Sequence, residues 1–136
     1  MSLLRGMLDL LYPRSCGGCG RTVDSAPSHI CWDCRATFHV IADAYCALCG
    51  DPVDGVVGTA FNCSACVDRR PGFEQARSAV RYRGPIQRAL QAFKYNGAIH
   101  LGGDLALLLA ACVRTHYPRA LFDAVTFVPL HSRRER

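Results

Sequence analysis

Eight of the nine cysteines fall into four Cys-x-x-Cys pairs: Cys16/Cys19, Cys31/Cys34, Cys46/Cys49 and Cys63/Cys66. Two intervening residues let both sulfurs of a pair grip one metal ion from a tight turn, and two pairs complete a tetrahedral four-thiolate zinc site. The eight thiols therefore supply two structural zinc ions with none left over. A site of this kind is closed, whereas a catalytic zinc keeps one position open for water. The chemistry expected is bracing, not hydrolysis.

The order of the pairs carries further information. Cys16-Gly-Gly-Cys19-Gly20-Arg-Thr-Val23-Asp24 reads like Cys46-Ala-Leu-Cys49-Gly50-Asp-Pro-Val53-Asp54, and each is followed by a second pair without the glycine. This internal repeat of two ribbon-like units favours Cys16, Cys19, Cys31 and Cys34 on one ion and Cys46, Cys49, Cys63 and Cys66 on the other. A crossed arrangement, with the first and third pairs on one ion, stays open but would not explain the repeat. Gly20 and Gly50 suit a knuckle whose turn needs a positive φ. Two other uses of such cysteines fit the sequence less well. A disulfide framework belongs to small secreted domains, and no secretory segment is evident. An iron–sulfur cluster fits poorly with pairs in regular, widely spaced duplicate. Cys112 stands apart in an apolar stretch and reads as a buried, inert thiol. His29 and His39 read as ordinary polar residues, since the thiols already fill both sites.

The elements that position these groups follow from periodicity. Residues 2–12 place Leu3, Leu4, Met7, Leu8 and Leu11 at helical spacing, and Pro13 ends the run. Arg5 and Asp9 interrupt it and no small-residue cleavage site precedes the cysteines, so a helix packed on the body is expected and the chain is expected to be cytoplasmic. Two ribbons of short strands follow, with Trp32 and Phe38 expected as a small apolar cap over the metal. After a linker at 68–71 the pattern alternates β and α. Residues 77–82 alternate like a strand. Pro85 opens a helix whose face carries Ile86, Ala89, Leu90 and Phe93, closed by Asn96-Gly97. Residues 104–116 form a second helix, with nine apolar residues in succession over 105–113. Nine is too short for a membrane span, so a core helix is expected. Residues 124–128 read as a strand of the kind buried in a parallel sheet. The domains expected are a helix at 1–14, a double zinc ribbon at 15–70 and an incomplete α/β domain at 71–136.

Small zinc modules bury too little apolar surface to stand alone, so metal binding supplies much of their folding free energy. The formal charge of +5 over 136 residues is offset by two zinc ions with eight thiolates, which carry about −4. Strong basicity is thus excluded as an argument for nucleic acid. Distribution says more: Arg69, Arg70, Arg77, Arg81, Arg83, Arg88 and Lys94 face a single Glu74 in that stretch. Arginine forks suit phosphate, but they serve equally as the solvated flank of strands and helices.

Taken together, these segments resemble the ComF family, in which a cysteine-rich zinc module precedes a type I phosphoribosyltransferase-like domain associated with DNA uptake in bacterial competence. The resemblance is carried by Leu8-Asp9-Leu10-Leu11-Tyr12-Pro13, by all eight paired cysteines, by Tyr82-x-Gly84-Pro85, by Lys94-Tyr95-x-Gly97 and by Val128-Pro129-Leu130-His131-x-x-Arg134. It covers essentially the whole chain, with Asn96 where a basic residue is more usual. It implies a β-α-α-β start of a phosphoribosyltransferase-like sheet, and it marks Lys94, Arg133, Arg134 and Arg136 as candidate contacts to phosphate or nucleic acid.

The sequence also departs from the family. An acidic pair and a Thr-Thr-Gly loop hold phosphoribosyl pyrophosphate there, and neither occurs here; Gly102-Gly103 lacks the rest of any phosphate loop. The chain reads as the amino-terminal half of a ComF-like protein, by natural truncation or by a shortened gene model. Magnesium and phosphoribosyl pyrophosphate are expected only with the missing carboxyl-terminal half, and this chain alone is expected to be inactive. Partners expected are single-stranded DNA or DNA-uptake proteins, or a second copy meeting the incomplete sheet. Three functions follow: a phosphoribosyltransferase-family protein, a zinc-ribbon module that binds DNA or protein without catalysis, and a purely structural metal domain.

Overall fold

The computed structural model describes residues 13–23, 27–55, 61–117 and 122–128. The expected helix at 2–12, the Pro129-Leu130-His131 segment and Arg133, Arg134 and Arg136 lie outside them. Two ribbons come first. Each folds a Cys-x-x-Cys knuckle against a second pair that sits on one turn of helix, α1 (Trp32–Ala36) in the first ribbon and α2 (Ser64–Asp68) in the second.

The sequence repeat is a repeat of hydrogen bonds. Cys16 N–H donates to Arg21 and Cys46 N–H to Asp51, at 2.7 and 2.9 Å. Gly20 N–H returns to the Cys16 carbonyl and Gly50 N–H to that of Cys46, at 2.8 and 2.9 Å. These turns put Gly20 at φ +78° and Gly50 at φ +71°, the left-handed region that a side chain makes costly. Single antiparallel bridges, Ser15 with Thr22 and Tyr45 with Pro52, close both knuckles at the same place. Cys31 and Cys63 precede their helices with the same backbone, φ −64° and −67°, ψ 159°.

Helix α3 (Pro85–Tyr95) begins where Gly84, at φ +64°, turns the chain into Pro85, whose fixed φ and missing N–H suit a first helical position. It buries Ile86 and Ala89 one turn apart. Gly97, at φ +68°, ends it, and Ala98 N–H folds back onto the Ala92 carbonyl at 3.2 Å. A short 3₁₀ turn (Ile99–Leu101) leads into α4 (Gly102–His116).

The first ribbon and these helices share one core. Cys16, Val23, Ile30 and Cys34 pack with Ala89 and Leu101, and Phe38, Ala92, Ala98 and Leu105 close over them. The knuckle glycines make that contact close: a Cβ on Gly17 would lie 2.6 Å from Leu101, and one on Gly18 would lie 2.9 Å from Pro85. The second ribbon is gripped by the chain that leaves it. Ala76 N–H donates to Leu48 at 2.7 Å, and Arg77 donates to the Ala47 carbonyl at 3.0 Å while lying 4.8 Å over the Tyr45 ring.

The β-α-α-β expectation needs correction at both strands. Residues 77–82 make one antiparallel bridge, Val80 with Val40, flanked by Ile41 N–H to Ala79 and Arg81 N–H to His39. Arg83 N–H then turns back onto Arg81. Residues 124–128 carry no regular structure, with Val125, Phe127 and Val128 exposed at 92, 81 and 90%. A strand exists only through its neighbours' hydrogen bonds, and the described residues offer these segments no ladder. Helix α4 forms where the sequence places it, but among the described residues it is not a core helix. It buries only Asp104 and Cys112, and Leu107 and Leu109 stand 62 and 60% exposed. No helix among the described residues is long and apolar enough to cross a membrane.

Candidate metal centre

The four pairs meet two by two, adjacent pairs together. Cys16, Cys19, Cys31 and Cys34 form one cluster, Cys46, Cys49, Cys63 and Cys66 the other, with the sulfurs of each within 4.8 Å of one another. This arrangement, not the crossed one, is the arrangement the repeat favoured. No cysteine is in a disulfide. The Cys19–Cys31 and Cys49–Cys63 sulfurs are both 3.7 Å apart. A tetrahedron of sulfurs about 2.3 Å from zinc has edges of about 3.8 Å. The donor set, its spacing and its lack of a fifth group fit zinc, so the two clusters can hold two zinc ions.

The electrostatics of the thiols point the same way. Burial pushes the Cys16 thiol up, but backbone N–H groups of Cys31, Cys19 and Gly18 outweigh it and lower the pKa to about 6. Cys31 N–H and Gly18 N–H approach this sulfur at 3.2 and 3.4 Å. Cys46 repeats the pattern, with burial overcome by the N–H groups of Cys63, Cys49 and Leu48 and a value of about 6. The last cysteine of each cluster moves the other way. Burial first, then the neighbouring thiols, drive Cys34 up, and the same causes bring Cys66 to about 12. Each cluster thus favours one thiolate and resists the next. A divalent cation removes that conflict, because it compensates the crowded negative charge.

The neighbouring side chains fall into place around the clusters. Trp32 does not cap the metal; it is 80% exposed. It lies two residues before Cys34 on α1, on the opposite side of the helix from the inward-facing sulfur. Phe38 does pack against the core. Neither His29 nor His39 joins a cluster. His29 instead packs on His100 at 4.8 Å between ring centroids and donates its backbone N–H to Asp104 at 2.8 Å. Cys112 is buried, and burial raises its pKa.

Asp104 is the residue that sequence reasoning missed. It is 6% exposed and receives Ser28 Oγ, His29 N–H and Arg35 Nη2 at 2.8, 2.8 and 2.9 Å. All three donors flank Cys31 and Cys34, so the first turn of α4 is fastened to the first cluster. Its one sequence signal was an acid opening an apolar run, which helix-dipole arguments explain without a partner.

The cations separate into two groups. Arg77 is committed to Ala47, Ala76 and Gln75, Arg81 to Asp54 at 2.8 Å, and Arg88 to the Gly18 carbonyl. Arg69, Arg70, Arg83 and Lys94 are exposed. Lys94 lies in the last turn of α3 and belongs to neither cluster.

Comparison with known proteins agrees with this geometry over the cysteine-rich part of the chain. No curated protein and no solved structure matches the chain. Residues 7–69, which contain all eight clustered cysteines, match the family described as the double zinc ribbon domain.

Proposed function

We propose that the two clusters are structural zinc sites that brace a scaffold for the helices behind them. The observation that carries this reading is a closed set of four sulfurs within 4.8 Å of one another, found twice with the same hydrogen bonds. Catalysis by such zinc has no open position to use. The ordered motifs around the ribbons support a ComF-like role, as the amino-terminal part of a phosphoribosyltransferase-family protein linked to DNA uptake. In this reading the enzyme chemistry, with magnesium and phosphoribosyl pyrophosphate, belongs to residues that this sequence does not contain. The thiolate sites require a reducing compartment, and we place the protein in the cytoplasm. The exposed apolar side chains of α4, Leu107, Leu109 and Val113, support self-association, which sedimentation would detect as a concentration-dependent dimer. Elemental analysis with a thiol count before and after chelation tests the zinc reading. Two zinc per chain and eight thiols released support it; no zinc with oxidised cysteines overturns it.

A second reading, a module that binds single-stranded DNA without catalysis, has one observation in its favour. Arg69, Arg70, Arg83 and Lys94 are exposed and alternate along the sequence with Phe73, Tyr82 and Tyr95, exposed at 48, 58 and 65%. Aromatic faces stack bases and such cations neutralise phosphates. Binding of a labelled oligonucleotide should weaken with salt by a log–log slope of about −0.7 for each phosphate neutralised. A salt-independent or absent signal removes this reading.

A further inference from the structure

The two clusters share their internal geometry but not their cover. In each, the first and last cysteines are buried; of the middle two, Cys31, Cys49 and Cys63 are half-buried and Cys19 alone is exposed. Over the second knuckle, residues 76 and 77 form a roof: a Cβ on Gly50 would lie 2.5 Å from the Ala76 carbonyl, and Ala76 and Arg77 bond the knuckle backbone. Over the first, Leu101 and Pro85 cover Gly17 and Gly18 but stop there, and a Cβ on Gly20 would meet nothing within 4 Å. Cys19 is accordingly exposed, whereas its counterpart Cys49 is half-buried. The Cys19 sulfur lies 3.7 Å from that of Cys31, and the donors that hold Asp104 of α4 flank Cys31 and Cys34.

We propose that the first cluster is an oxidant-sensitive latch, in which peroxide joins Cys19 to Cys31, expels the first zinc ion and frees α4. The proposal rests on the zinc reading above. The Cys19 thiolate attacks one peroxide oxygen and breaks the O–O bond, giving a sulfenic acid and one hydroxide. The Cys31 thiolate then attacks that sulfur and displaces a second hydroxide, forming the S–S bond. Two thiolates lose two electrons, and one peroxide becomes two hydroxides. Drawing the sulfurs to about 2.05 Å removes two ligands. Cys16 and Cys34 alone cannot complete a tetrahedral site. With the knuckle released, the buried Asp104 carboxylate loses the backbone and side chains that satisfied it.

The test uses the full zinc-loaded chain carrying Cys112→Ser, which removes the ninth thiol. Zinc content is measured first, and a chain without zinc overturns the zinc reading along with the latch. One equivalent of hydrogen peroxide is then added. Released zinc is followed with a coloured chelator, the disulfide is mapped by mass spectrometry, and α4 is followed by hydrogen exchange. The expected result is loss of one zinc ion per chain, a Cys19–Cys31 disulfide, faster exchange over 104–116, and recovery with a dithiol plus zinc. Retention of both ions, prior oxidation of Cys49 and Cys63, or unchanged exchange in α4 after the disulfide forms would each overturn the latch and leave the zinc reading standing.

Discussion

Replacing Asp104 with alanine is the most direct probe of how the ribbons and helices hold together. The carboxylate is buried and accepts from Ser28 Oγ, His29 N–H and Arg35 Nη2. Removing one side of a buried, hydrogen-bonded ion pair costs about 3–5 kcal/mol. Arg35 is 38% exposed and can turn to water, and Ser28 retains its bond to the Ile30 carbonyl at 2.9 Å. The His29 N–H has no such alternative. The lower end, about 3 kcal/mol, is therefore expected. Asp104→Asn keeps one acceptor but turns an amide group toward one of the donors, so about half that loss is expected. Denaturant unfolding in excess zinc, read by circular dichroism, gives the free energy. Zinc content measured on the same sample shows whether the first cluster stays loaded. A melting temperature lowered by about 10 °C for the alanine variant corresponds to this loss in a chain of this size. If Asp104→Ala stays within about 0.5 kcal/mol of the parent, Asp104 does not fasten α4 to the first ribbon, and the shared core alone holds them.

Three other outcomes follow from the geometry. Gly20→Ala and Gly50→Ala impose the same positive-φ penalty of about 1–2 kcal/mol, but only the second adds a clash with Ala76; thermal melts should show the second as clearly more destabilising. Arg77→Leu removes the bonds to Ala47 and Ala76 and leaves those carbonyls without their guanidinium donor. It should cost about 1–3 kcal/mol and loosen the second ribbon, seen as faster exchange at 46–53. Zinc binding at pH 7 should release fewer than the four protons per site that four ordinary thiols would yield, because Cys16 and Cys46, at about 6, are already largely ionised. The sign follows: protons compete with zinc, so affinity falls as pH falls and falls more steeply below 6, where these two thiols protonate as well. Calorimetry in buffers of different ionisation enthalpy measures both quantities.

Much of the metal centre was legible because its determinants are local. Ligand type, the two-residue spacing and the glycine after the knuckle are properties of a few consecutive residues, and the repeat in Val23/Val53 suggested which pairs belong together. Helix α3 was legible for the same reason, from Pro85 at one end and Asn96-Gly97 at the other. The strands at 77–82 and 124–128 were not, since alternation and apolarity describe a segment's suitability for a sheet and not the presence of its neighbours. Trp32 was misplaced because a position inside a Cys-x-x-Cys pair does not say which side of the five-residue helix formed there turns inward.

The sequence by itself determined the chemistry: eight thiols in four chelating pairs, two tetrahedral sites, and two knuckles whose turns require glycine. Only the tertiary structure decided that adjacent pairs meet, that Ala76 roofs the second knuckle while Cys19 of the first lies open, and that Asp104 ties α4 to the first cluster. The physical reason is range. Ligation and turn geometry are set by atoms a few bonds apart, whereas cover, burial and the pairing of a carboxylate with donors some 75 residues away exist only once the whole chain has packed.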